Sequence, residues 1–331
     1  MKKNTARGKN ILFFLMYTVL LIFILTSCKN KKESLTSEQS IIVGFSQIGA
    51  ESAWRTCNTQ SIHEAAQEAG IQLLYANAEQ KQENQIKAIR SFIVYQVDVI
   101  VFVPIVQDGW DNVLREAKEA NIPVLVIDRK LRTVDESLYT AYIGSDHVEE
   151  GRNAARFLIQ KFKDARGPFR IMEIRGTDGS SSAEGRYRGF REIIKTDKKF
   201  EIVASENGDF LRSRGREITE SYLKNPVLPF DIVFSHNDGM TLGMLDVLET
   251  TDIKPGQDIV IVSVDAEQAA IDALKEGKIN CIIECNPKIG DHVMELVKKL
   301  AKQEEVTKLT HITENIFQET DDLHDLPLRG Y

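Results

Sequence analysis

Cysteine and histidine are scarce in this chain, at four Cys and six His in 331 residues. No His stands beside a Cys or another His at metal-ligand spacing, so neither a metal site nor a cofactor is expected. The amino-terminal leader claims Cys28, leaving Cys57, Cys281 and Cys285, an odd number that argues against a disulfide framework. On one strand, Cys281 and Cys285 would stand too far apart to bridge, at about 3.3 Å per residue. Basic charge is outweighed as well: 42 Lys and Arg against 49 Asp and Glu give a formal charge of -7. Nucleic acid binding rests on clustered Lys and Arg and is excluded as a role. There is no short-period repeat, and 42% hydrophobic with 27% charged residues describes an ordinary globular chain, long enough for two domains.

Long apolar runs are also lacking, with one exception at the amino terminus. Lys2, Lys3, Arg7 and Lys9 precede an apolar stretch from Ile11 to Leu25, shorter than the roughly 20 residues of a spanning helix. A basic region, an apolar region and the small residues Thr26-Ser27-Cys28 together read as an export signal over residues 1–28. Leu25-Thr26-Ser27-Cys28 resembles a bacterial lipobox, which implies lipidation of Cys28; a plain secretory signal or an uncleaved anchor is the alternative. Polar residues 29–40 read as a tether. Removing residues 1–27 takes away four bases and no acids, leaving a formal charge of -11.

What is present is alternation. Pro123 to Asp128 is an aliphatic run ending in Asp128-Arg129, and four consecutive aliphatics suit a strand covered on both faces of a parallel sheet. Ligands of such sheets bind beyond the carboxyl ends of the strands, where Asp128 and Arg129 would project; a solvated ion pair in a turn is the bland alternative. Further strands are predicted at Ile41–Phe45, Gln72–Ala76, Val99–Val103, Tyr142–Gly144, Arg170–Ile174, Ile202–Ser205, Ile232–Ser235, Ile259–Val264 and Ile279–Glu284. Helices alternate with them, including Gln82–Gln96, Ser182–Lys195 and one over Pro287–Lys302 opened by its proline. The fold class is therefore α/β, two Rossmann-like halves with a cleft between them.

Several predicted strand ends carry polar groups toward that cleft. The first runs into Ser46 and then Glu51, Trp54 and Arg55; the ring of Trp54 suits either a core or the apolar C–H face of a sugar. Asp265 ends one strand of the second half, and Asn237 follows another, beside an Asp238 well placed to cap the next helix. Arg186 follows the loop Gly176 to Ser182, which lacks the lysine of a phosphate-binding loop. Carboxylate, amide and guanidinium together suit the paired hydroxyls of a polyhydroxyl ligand.

Val43-Gly44-Phe45-Ser46-Gln47, Ser52-Ala53-Trp54-Arg55, Gln80 to Ala88, Asp128-Arg129, Gly208-Asp209-Phe210, His236-Asn237-Asp238 and Lys254-Pro255-Gly256 carry a resemblance. They are similar to the periplasmic sugar-binding proteins of bacterial ABC transporters, of the ribose and galactose type and nearest its galactofuranose binders. The resemblance implies two lobes joined by three hinge strands and closing on one monosaccharide. It assigns Trp54, Arg55, Asp128 and Arg129 to the first lobe's share of the site, and Arg186, Asn237 and Asp265 to the second's. Glu284 falls on the last hinge strand, with Ser46 and Glu51 as further candidates. Two positions depart from the pattern: Ala266 stands for the usual Gly, and Gly185 for an Asp. The implied lobes are residues 41–145 plus 286–306, and 146–285 plus 307–331.

The function this implies is a monomeric, lipid-anchored binding protein, held at the cell membrane and delivering a monosaccharide to ABC permease subunits. A sugar sensor signalling to a membrane receptor is the alternative. An effector-binding repressor would need a DNA-binding segment where the leader lies. Glycosidase chemistry is not expected, because arginines near both Asp128 and Asp265 would keep them ionised whereas it needs one protonated acid.

Overall fold

The computed structural model describes residues 40–225 and 228–331, so the leader, Cys28 and nearly all of the tether lie outside the described residues. The chain alternates from β1 (Ile42–Gln47) through α1 (Ala53–Glu68), β2 (Gln72–Asn77), α2 (Gln82–Val94), β3 (Val99–Phe102) and α3 (Asp111–Glu119) to β4 (Val124–Ile127) and β5 (Ala141–Gly144). It continues with α4 (His147–Lys161), β6 (Phe169–Arg175), α5 (Ser181–Ile194), β7 (Phe200–Asn207), α6 (Arg212–Tyr222), β8 (Ile232–Ser235) and α7 (Asp238–Leu248). Last come β9 (Val260–Asp265), α8 (Gln268–Lys275), β10 (Cys281–Glu284), α9 (Gly290–Ala301), β11 (Leu309–His311) and β12 (Ile316–Gln318).

The twelve strands form two six-stranded sheets, ordered β11-β5-β4-β3-β1-β2 and β12-β10-β9-β8-β6-β7. All pairs run parallel except β10 with β12. The aliphatic runs β3, β4 and β8 are buried at every position, as strands covered by helices on both faces must be, whereas the edge strand β2 is largely accessible. One apolar core fills the first sheet and its helices, α9 included, and two further clusters fill the second. The chain passes between the sheets three times: from β5 to α4, from β10 to α9, and from β11 to β12.

Several expectations change. Leu309–His311, expected in the second lobe, pairs with Tyr142–Gly144 in the first sheet, so the terminal segment is shared between sheets. The last long helix begins at Gly290 rather than at Pro287; residues 286–289 make the crossing, with Asn286 Oδ1 accepting from the amide of Lys288. Asn237, not Asp238, caps α7 by accepting from the Met240 amide at 3.0 Å. Asp238 is instead fully buried, where it accepts from the Glu267 amide at 2.8 Å and from the Ser263 hydroxyl.

Candidate functional site

Strand ends from both sheets meet across the gap between them. Glu51, Ser52, Trp54, Arg55, Asp128 and Arg129 from the first half and Ser182, Arg186, Phe210, Asn237, Asp265 and Cys285 from the second line one hollow. The sequence placed eight of these twelve there: Glu51, Trp54, Arg55, Asp128, Arg129, Arg186, Asn237 and Asp265. It missed Ser52, Ser182, Phe210 and Cys285. Of these Phe210 and Ser52 carried a signal, in the motifs Gly208-Asp209-Phe210 and Ser52-Ala53-Trp54-Arg55; in the structure Ser52 also caps α1, accepting from the Arg55 amide.

Two proposed residues are elsewhere. Ser46 is fully buried in β1, away from the hollow, its hydroxyl without a partner. Glu284 accepts from the backbone and side-chain amides of Asn315, at 2.9 and 2.6 Å, and pairs with Arg329. Its carboxylate fastens the carboxyl-terminal segment to β10 rather than facing the hollow.

The backbone turns sharply where the acids project. Asp128 has φ 60°, Asp265 φ 125° and Ala266 φ 71°, all in the left-handed region that side chains disfavour. Strain of this kind, on the order of 1–3 kcal/mol per residue, persists only where surrounding structure imposes it, and it clusters at functional sites. Ala266, in the place of a glycine, adopts the conformation a glycine would find without cost.

Three guanidinium groups and three carboxylates share the lining. Arg55 Nη2 lies 2.7 Å from Asp128 and its Nε donates to Glu51 at 3.1 Å, while Arg129 Nη2 is 3.9 Å from Glu51. Burial works against the Arg55 charge, but Asp128 and Glu51 overcome it and raise its pKa. Arg129, buried with Arg55 and Arg186 nearby, falls to about 10 and remains charged at neutral pH. Arg186 is gripped by Glu150, with Nε to Oε2 at 2.6 Å, and by the carbonyl of His236, which accepts from Nη1 at 2.5 Å. Its third nitrogen, Nη2, stands 3.9 Å from Asp265.

Asp265 departs from expectation. Burial pushes its pKa well above the carboxylate range, and although Arg186 opposes the shift, Asp238, Glu267 and Glu150 add to it. Arginine therefore does not hold this carboxyl in the ordinary carboxylate range, contrary to the expectation for Asp265.

Ring faces complete the walls. Trp54 carries the Arg55 guanidinium 4.6 Å from its ring, and Phe210 carries Arg129 at 5.2 Å and Arg186 at 5.8 Å. Gly176 makes room for Phe210: a Cβ there would stand 1.9 Å from the ring and would have to displace it. At Gly185 a Cβ would meet His147 at 2.7 Å, so the aspartate of the family pattern would not fit against α4.

Arg55 Nη1 and Arg129 Nε are buried donors with no acceptor among the described residues. Such groups cost about 1–3 kcal/mol each, more when charged, unless something accepts from them. The arrangement can grip an uncharged molecule rich in oxygens, with donors and acceptors in balance and flat apolar faces on two sides.

Comparison with known proteins agrees in extent and in fold. The periplasmic binding protein domain family matches residues 43–305. The galactofuranose-binding protein YtfQ of Escherichia coli is 36% identical over 283 residues, covering 85% of this chain and 88% of that protein. A Mycobacterium smegmatis protein solved with beta-D-fucofuranose is 45% identical at TM-score 0.82, covering 85% of this chain and 92% of that one. The binding component of the arabinose ABC transporter of Shewanella sp. ANA-3, solved with alpha- and beta-L-arabinofuranose, is 40% identical at TM-score 0.80, covering 84% and 92%. These relatives are binding proteins, not enzymes.

Proposed function

This chain belongs to the periplasmic binding protein domain family, and from that premise we propose that it captures one monosaccharide in its furanose form and delivers it to an ABC importer. The observation that carries this reading is the convergence of six charged side chains from both lobes on one hollow, with Arg55 Nη1 and Arg129 Nε lacking acceptors. Sugar hydroxyls supply acceptors for both donors and donors for Glu51 and Asp128. Similarity to proteins solved with fucofuranose and arabinofuranose supports a five-membered ring, and a galactofuranose-like sugar heads the candidates.

The lobes hinge at the three crossings near residues 145, 286 and 313. Closure over the sugar is the form the permease reads, because ligand shifts the balance between open and closed lobes. The protein acts as a monomer, exported by residues 1–28 and held at the membrane by lipid on Cys28.

Thermal melts against a panel of furanose-forming and pyranose-locked sugars test the reading. A sugar at a hundred times its Kd adds about 2.7 kcal/mol of stability, which a melt resolves easily. A rise in Tm with galactofuranose, fucose or L-arabinose is expected; a panel in which no sugar moves the melt removes the proposal.

A further inference from the structure

Against the wall of the hollow, at Cys285 and the Glu150 that grips Arg186, lies a cluster with polar atoms the sugar site leaves unused. His147 and Glu150 sit in the first turn of α4, just past one interlobe crossing, and Cys285 follows β10 at the next. One ligand atom from each lies within 4.8 Å of the others, and all three residues are nine-tenths buried or more. Among the described residues His147 Nε2 and Glu150 Oε1 have no hydrogen-bond partner, although Glu150 Oε2 is bound by Arg186. Asp128 Oδ1, on the wall of the hollow, is 3.8 Å from His147 Nε2.

We propose that His147, Glu150 and Cys285 form a site for a zinc-class divalent cation at the hinge, with its fourth position toward Asp128. Imidazole, carboxylate and thiolate are the donors zinc takes, and three protein ligands with an open fourth position is one of its common arrangements. As the Zn–S bond forms, Cys285 gives its proton to solvent. The nearby cations Arg129, Lys130 and Arg186 oppose a divalent ion. The new thiolate, Glu150 and Asp128 offset them. Because the site spans two crossings and approaches the sugar wall, metal and sugar are coupled: a metal that recruits Asp128 takes that carboxylate from the sugar.

The test uses the full chain carrying Cys28→Ser and Cys57→Ser, stripped with chelator, titrated with zinc chloride by calorimetry and with cobalt chloride by absorbance. Expected are one zinc per chain, a thiolate-to-cobalt charge-transfer band, and at least tenfold weaker zinc binding in His147→Gln and in Glu150→Gln. Sugar affinity should fall severalfold in zinc. No charge-transfer band in the stripped parent, which needs no further substitution, overturns the site, as does unchanged zinc binding in folded His147→Gln. Sugar binding measured in chelator stands apart from either result, so loss of the metal site and loss of the sugar site are distinguishable.

Discussion

Trp54 donates its indole N–H to the carbonyl of Cys285 across 2.6 Å, joining a helix of the first lobe to an interlobe crossing. The Trp54 amide also donates to Glu267 of the second lobe at 3.3 Å, and the ring packs in a core cluster of that lobe. Trp54, which the sequence suits either to a core or to a sugar platform, therefore also ties the two lobes together. Trp54→Phe keeps a ring and removes the side-chain tie. A neutral hydrogen bond contributes about 0.5–1.5 kcal/mol net. Sugar affinity by calorimetry should fall roughly two- to tenfold, and small-angle scattering without ligand should show a more open molecule. An unchanged scattering profile would remove the tie from the mechanism.

Asp128 should be tested as Asp128→Asn rather than as Asp128→Ala. The carboxylate lies 2.7 Å from the buried Arg55, and deleting it wholly would strand that charge and destabilise the fold. The amide keeps the volume and loses the charge-assisted bonds, each contributing about 1.5–3 kcal/mol. Affinity should drop roughly ten- to a hundredfold, with the ligand-free fold retained by circular dichroism.

Gly176→Ala should reach the sugar through Phe210. The added methyl stands 1.9 Å from the ring and must displace it from the wall beneath Arg129 and Arg186. Weaker sugar binding with a modest loss of Tm is expected. Full affinity would show that the position of the ring is immaterial.

Ala266→Gly should stabilise the protein by about 1 kcal/mol, since φ 71° strains alanine and not glycine. Denaturant unfolding measures it. A destabilised variant would mean that the alanine methyl contributes more packing than its backbone costs.

Glu314 gives a pH dependence. It accepts from Ser145 Oγ at 2.6 Å and from the Asn286 amide at 2.8 Å, so it meets all three crossings at once. Burial, and then the charge of Glu150, raise it to about 9. The folded state thus holds a proton that the unfolded chain has released, from the ordinary carboxyl range up to about pH 9. Stability from this group is complete below that range and is lost as pH rises through about 9. Tm of the parent should fall more steeply between pH 5 and 9 than that of Glu314→Gln; parallel curves would contradict the shift.

Chain patterning alone determined that two parallel α/β halves would form, because aliphatic runs such as Val124–Ile127 admit only a strand buried on both faces. It also determined the acids at the ends of those runs, Asp128 and Asp265. The short strands Leu309–His311 and Ile316–Gln318 were invisible, since each has only three residues, exposed in part, and draws its stability from the neighbour it pairs with. Glu284 has the composition of a ligand group, yet pairing with Asn315 and Arg329 turns it to another task. The meeting of His147 and Glu150 with Cys285, far apart in the numbering, likewise belongs to the tertiary structure. Hydrophobic periodicity is local and is written in the order of residues, whereas the partner of a buried polar group is whichever distant segment the packed sheets bring beside it.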